Sequence, residues 1–102
     1  MKRTEIGHIT LINSFEVPAG KLDESIKYWE VCRDFLKTQP GYISTKLHQS
    51  MKVDARFQLV NVALWKSPQA FKDAANKMGK ELGVPPPEGL KPNASLYNII
   101  RE

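Results

Sequence analysis

Two asparagines and a tryptophan occupy positions where the surrounding pattern calls for carbon. Asn13 shares the parity of Ile9, Leu11, Phe15 and Val17, and Asn61 and Trp65 share that of Phe57, Leu59 and Ala63. A period of two puts such residues on one face of a strand. A buried amide without a partner costs about 1–3 kcal/mol, so each asparagine either satisfies protein groups or awaits a ligand oxygen. An amide NH2 is a donor, and the Trp65 indole N–H is a donor with no acceptor function, though core packing alone would also account for a tryptophan there. Tyr28 and Trp29 lie on a helical stripe and are candidate pocket residues. His8 and His48 read as surface or interface residues rather than general bases, and Cys32 as a small core hydrophobe.

The absences narrow the chemistry further. One cysteine allows no intrachain disulfide, and no Cys/His cluster has metal-ligand spacing, so no metal site is expected. A glycine-rich phosphate loop is missing and no nucleotide cofactor is implied. A G-x-S-x-G elbow is missing too.

The elements that position these residues follow from periodicity. Ile9 to Val17 reads as a strand ended by Pro18-Ala19-Gly20. From Lys21 to Lys37, Leu22, Ile26, Trp29, Cys32 and Leu36 repeat at helical spacing, with Asp23 and Glu24 in the first turn and Gln39-Pro40-Gly41 as a stop. Tyr42 to Ser50 predicts a strand with Ile43 and Leu47 on one face and Lys46 and His48 on the other. Arg56 to Trp65 predicts a central strand buried on both faces from Val60 onward. Ser67-Pro68 starts a second helix with its stripe at Phe71, Ala74, Ala75, Met78 and Leu82. Val84 to Pro92 either joins two elements or closes over a pocket, and Leu96 to Arg101 predicts the last strand.

The order β-α-β-β-α-β predicts an α+β, ferredoxin-like fold, a four-stranded antiparallel sheet with both helices on one face. Asn13, Asn61 and Trp65 then point between sheet and helices. The other face carries Ile12, Val60, Val62, Leu64 and Ile99 with nothing to cover it, which predicts a two-fold homodimer. With 102 residues, a single domain over 1–102 is expected. Fifteen basic residues against eleven acids leave a formal charge of +4, but the only close basic cluster is Lys2-Arg3. With no basic stripe, no nucleic-acid partner is expected. The third strand also lacks the aromatic pattern of RNA-recognition modules. The polar N-terminus and the lack of a long apolar run predict no membrane partner and a soluble, cytoplasmic protein.

Three stretches resemble the antibiotic biosynthesis monooxygenase (ABM) family. They are Phe15-Glu16-Val17-Pro18-Ala19-Gly20-Lys21, Gln39-Pro40-Gly41-Tyr42 with Leu47-His48-Gln49-Ser50, and Asn61-Val62-Ala63-Leu64-Trp65-Lys66-Ser67-Pro68-Gln69-Ala70-Phe71. The resemblance runs from about Ile9 to Arg101 and implies a dimeric α/β barrel. It also implies oxygenation of a polyphenol-like small molecule without metal, flavin or haem. Asn61 and Trp65 match the pocket asparagine and tryptophan of the actinorhodin-type enzymes, and Phe71 stands where those carry a tyrosine. Their later pocket arginine has no counterpart after Ala75. In the haem-degrading branch a first-strand asparagine matches Asn13. Its helix tryptophan falls near Ala74, and Phe71 to Leu90 holds no histidine, which disfavours haem.

The expectation is therefore a cofactor-independent monooxygenase acting on an aromatic or quinol-type substrate. Asn61, Trp65 and Asn13 are its catalytic candidates, and Tyr28, Phe71 and Trp29 line the substrate site. The competing expectations are a non-catalytic binding or stress-response protein on the same barrel and a muconolactone-type isomerase. The isomerase would need an acid–base residue in the cavity, and neither histidine is well placed for that.

Overall fold

The computed structural model describes residues 8–102; the Lys2-Arg3 cluster and the rest of the polar N-terminus lie outside them. The chain runs β1 (Ile9–Glu16), α1 (Leu22–Leu36), β2 (Tyr42–Gln49), β3 (Leu59–Trp65), α2 (Pro68–Glu81) and β4 (Lys91–Tyr97). The sheet is antiparallel with order β2-β3-β1-β4. Both helices lie on one face, as the element order predicts. β1 and β3 are the central pair, with Ile9 opposite Trp65, Leu11 opposite Ala63 and Asn13 opposite Asn61. That pairing sets Ile9, Leu11, Ala63 and Trp65 against Ala74 of α2 as the buried core, with Leu36, Tyr42, Ala70, Phe71 and Leu96 packed around it.

The helices begin where local chemistry puts them. Ser67 Oγ accepts the Ala70 backbone N–H at 3.1 Å, and Pro68 occupies the first turn, where its missing N–H is no loss. The acidic first turn and basic last turn of α1 suit the helix dipole.

Four expectations are corrected. The last strand runs over Lys91–Tyr97 rather than Leu96 to Arg101. Pro92 argues against a strand in sequence, yet β4 is an edge strand, where a missing N–H is tolerated. Asn93 then locks β4 in place, its Nδ2 donating to the Ser14 carbonyl at 3.0 Å. Ile99 falls beyond this strand and is exposed. β3 starts at Leu59, not Arg56. Gln58 Nε2 instead donates to the carbonyls of Lys52, Val53 and Ala55 and folds the preceding loop on itself, while Arg56 pairs with Glu16 at 3.1 Å.

A register shift between Tyr42 and Ser44 breaks the simple alternation in β2. Ile43 is left exposed, whereas Tyr42 packs on Trp65. Finally, the face carrying Ile12, Val60, Val62 and Leu64 is only half-covered within one chain, and Leu64 is exposed.

Gly41 is the tightest point of the fold. It has φ of 89°, its carbonyl accepts the Lys66 N–H at 2.8 Å, and a Cβ there would collide with the Ala70 methyl. Gly41→Ala combines a left-handed backbone penalty with overpacking and should cost about 2–5 kcal/mol. Gly20 also has positive φ but faces open space, so Gly20→Ala should cost only about 1–2 kcal/mol. Urea denaturation of both variants checks this; equal midpoints would refute the packing role of Gly41.

Candidate functional site

Sheet and helices do not fill the space between them. A cavity of about 240 Å3 remains. β1 supplies Leu11, Asn13 and Phe15 to its floor, β3 supplies Leu59, Asn61, Ala63 and Trp65, and β2 supplies Thr45. Ser25, Tyr28, Trp29 and Cys32 of α1 form the roof, with Phe71, Ala75 and Met78 of α2 beside them. Pro86, Leu90 and Pro92 complete the wall, so the segment after α2 does more than join two elements. Tyr28 and Met78 also line a more open groove leading to Val84 and Pro85.

Asn13 and Asn61 are direct cross-strand partners, and side chains so paired stand about 4.5–5.5 Å apart at Cβ. Asn61 is buried, and its Oδ1 accepts the Thr45 hydroxyl at 2.5 Å. Asn13 Oδ1 accepts the Asn93 backbone N–H at 3.0 Å. Among the described residues, no group accepts from either Nδ2. Each amide is thus held by its oxygen, and each NH2 is left to a ligand.

Trp65 is 1% exposed and wedged between the edges of Tyr42 and Phe71, both at 5.6 Å between ring centroids. Its indole N–H has no acceptor among the described residues, and its side chain lines the cavity with the amides. Phe71 serves as an apolar wall. Trp29 is half-buried, with the Arg33 guanidinium 5.2 Å from its ring centroid. Arg33 also contacts Asp34 at 3.1 Å, and this hydrogen bond holds the Asp34 carboxyl below its usual range.

Among the described residues, Arg33 is the one charged residue in the lining, which includes no histidine or carboxylate. His8 and His48 are exposed, with His48 Nδ1 3.3 Å from the Val60 carbonyl. The apolar surroundings act on the hydroxyl and thiol of α1. Burial, with the neighbouring Cys32, pushes the Tyr28 hydroxyl up to about 12. Burial also raises the Cys32 thiol, which Tyr28 partly offsets. Both groups keep their protons at neutral pH.

The structure brings together all six residues singled out from the sequence: Asn13, Asn61, Trp65, Tyr28, Trp29 and Phe71. Sequence reasoning missed Thr45, Asn93 and Ser25. Thr45 shares the parity of Leu47, so the strand pattern already put it on the helix side, but its hydrogen bond to Asn61 carried no sequence signal; Asn93 lay outside the expected last strand. Ser25 did carry a signal: it stands three residues after Leu22 and four before Trp29, on the buried stripe of α1.

The family model described as "Antibiotic biosynthesis monooxygenase" matches residues 8–77. Among solved structures, a candidate monooxygenase from Shewanella loihica PV-4 is 52% identical, with a TM-score of 0.87 and coverage of 94% of this chain and 97% of that one. SnoaB, a cofactor-independent oxygenase from Streptomyces nogalater, is 22% identical with a TM-score of 0.71, over 94% of this chain and 96% of its own. The heme-degrader MhuD from Mycobacterium tuberculosis is 22% identical with a TM-score of 0.68, over 92% and 97%. At that identity the last two share the fold. Among curated proteins none matches the chain.

The raised Tyr28 hydroxyl makes a pH prediction. The unfolded chain releases a tyrosine proton near pH 10, whereas folded Tyr28 keeps it to about 12. Its contribution to stability is therefore complete below pH 10 and disappears as pH rises through about 12. Tyrosinate absorbance should show a step near pH 12, and Tyr28→Phe should remove that step. A single common step near pH 10 would refute the assignment.

Proposed function

The chain belongs to the antibiotic biosynthesis monooxygenase family, and we propose that it is a cofactor-independent monooxygenase acting on a compact aromatic substrate of the phenol or quinol type. The observation that carries this reading is the amide pair. Asn13 and Asn61 have their oxygens tied to Asn93 and Thr45, and their NH2 groups share an apolar cavity with the Trp65 indole. Fixed donors in a cavity with little water stabilise an oxyanion without reorganising as charge develops.

The reaction follows from what the cavity offers. With Tyr28 and Cys32 held protonated and no histidine in the lining, no side chain there is poised as a base near pH 7. The substrate releases its own proton to solvent, and the amide and indole donors favour the resulting anion. That anion supplies the electrons to oxygen. For an anthrone, the methylene carbon loses two hydrogens and gains one oxygen atom, and the second oxygen atom leaves as water. Apolar walls from Phe15, Leu59 and Phe71 exclude bulk solvent from the reacting carbon, and Arg33 adds the only formal positive charge.

Haem does not fit this lining. Of the lining side chains that could ligate iron, Tyr28 and Cys32 are held protonated by burial, and no histidine among the described residues accompanies the Met78 thioether. A binding protein without turnover is the second reading; it is favoured by the bond from the Asn93 N–H to Asn13, which gives that amide a structural task.

Oxygen uptake with dihydroxynaphthalenes and anthrones separates the two readings. Turnover is expected, with kcat/KM rising along the ionisation of each substrate and shifting when a substrate of different acidity is used. Asn61→Ala should lower kcat about 100–1,000-fold. Binding without uptake at any pH would establish the second reading instead.

The half-covered sheet face supports a two-fold homodimer centred on Ile12, Val60, Val62 and Leu64. Among the described residues, no helix is long and apolar enough to cross a membrane. Val62 is the cross-strand partner of Lys46. Val62→Lys would set two cations side by side and repeat them across the two-fold axis. Sedimentation at micromolar concentration should show a dimer for the wild type and a monomer or unfolded chain for the variant. A wild-type monomer would refute the assembly.

A further inference from the structure

Ser25 is 1% exposed, lines the cavity from α1, and has a hydroxyl with no hydrogen-bond partner among the described residues. Its backbone is satisfied, since the Ser25 N–H donates to the Lys21 carbonyl at 2.9 Å. A helical serine often turns its hydroxyl back to a carbonyl one turn earlier, and here it does not. The Thr45 hydroxyl already has a partner, since it donates to Asn61. Buried hydroxyls are ordinarily paired, so this one is set for something that enters the cavity.

We infer that Ser25 is a substrate-positioning residue, its hydroxyl bonding a second oxygen substituent of the aromatic ligand on the wall opposite the asparagine pair. This rests on the proposed reading of the cavity as the substrate site and narrows the ligand class. The ligand is a planar aromatic with oxygen functions on two edges, one held by Asn13 and Asn61 and the other by Ser25. A serine hydroxyl offers one donor and two acceptor positions. It serves a ring hydroxyl or a ring carbonyl alike, at an oxygen remote from the reacting carbon and unchanged by the reaction. The contact is therefore equally strong in ground and transition states, and its loss changes KM rather than kcat. A ligand lacking the second oxygen seals the Ser25 hydroxyl away from water unpaired and is rejected for that reason.

Both tryptophans of the chain line the cavity, so quenching of their fluorescence reports occupancy. The probes are naphthohydroquinone and a naphthol with a single hydroxyl, titrated without oxygen into the intact protein. The wild type should prefer naphthohydroquinone by about tenfold. Ser25→Ala should reduce this preference to within about threefold while leaving naphthol affinity unchanged, and Ser25→Thr should retain most of it. The unliganded Ser25→Ala protein should melt no lower than wild type, because it loses an unpaired group.

Equal weakening of both probes overturns the assignment, since the hydroxyl then holds a water or the helix. A lower melting point for Ser25→Ala overturns it also. A wild type that binds both probes equally refutes the role of Ser25 alone. A wild type that binds neither refutes it together with the reading of the cavity. Binding with the predicted preference but without oxygen uptake upholds Ser25 and refutes only the catalytic reading.

Discussion

The cross-strand pair of Asn13 and Asn61 is the constraint on which the molecule depends. Two amides in the middle of an apolar sheet must find partners, and their oxygens find them in opposite directions. Asn61 takes the Thr45 hydroxyl of β2, and Asn13 takes the Asn93 backbone of β4. A belt of polar residues therefore crosses all four strands, hydrogen-bonded from Thr45 to Asn61 and from Asn93 to Asn13, with the two amides adjacent across β1 and β3. A one-residue slip in any strand would turn its alternate side chains to the other face and break the belt. Register and site are thus set by the same atoms. Stability and chemistry are also divided within each amide, the oxygen serving the sheet and the NH2 facing the cavity.

The helices have to tolerate the resulting hollow. A closed void costs about 24 cal/mol per Å3, a serious burden for a domain whose whole stability is about 5–15 kcal/mol. The fold limits the cost by packing one end of the sheet–helix space and leaving the other open. At the packed end, Tyr42, Trp65 and Phe71 meet edge to face, and Gly41 lets the β2 start approach Ala70. Small residues, Ala63, Ala74 and Ala75, bring α2 close to β3. At the open end, Pro86, Leu90 and Pro92 form a wall from a stretch whose prolines lower the entropy lost on ordering.

Much of this was legible from the chain alone, for identifiable reasons. Strict alternation in β1 and β3 placed Asn13, Asn61 and Trp65 on the helix side, and the Ser67-Pro68 start of α2 was fully local chemistry. The rest depended on contacts that sequence does not display. The shift between Tyr42 and Ser44 overturns parity at the start of β2, which exposed Ile43 and hid the packing of Tyr42 on Trp65. β4 forms around Pro92 because it is an edge strand and because Asn93 clamps it to β1, and neither fact is local. Ser25 stood on the apolar stripe in plain view, but Asp23 and Glu24 beside it make that turn look like a solvated face.

The cavity sets an apparent contradiction, because burial opposes ionisation of Tyr28 and Cys32 while the proposed substrate reacts as an anion. The two follow from one arrangement. General polarity is low, so a group with no directed donors, such as the Tyr28 hydroxyl, keeps its proton. An oxygen placed at the amide pair and the Trp65 indole meets donors that are already fixed, by Thr45, by Asn93 and by aromatic packing. Low polarity strengthens those few interactions as much as it penalises every other charged position. The site thereby favours negative charge at one place and resists it elsewhere. An apolar cavity without a base of its own still selects the reactive anion, provided the substrate oxygen is delivered to that one place.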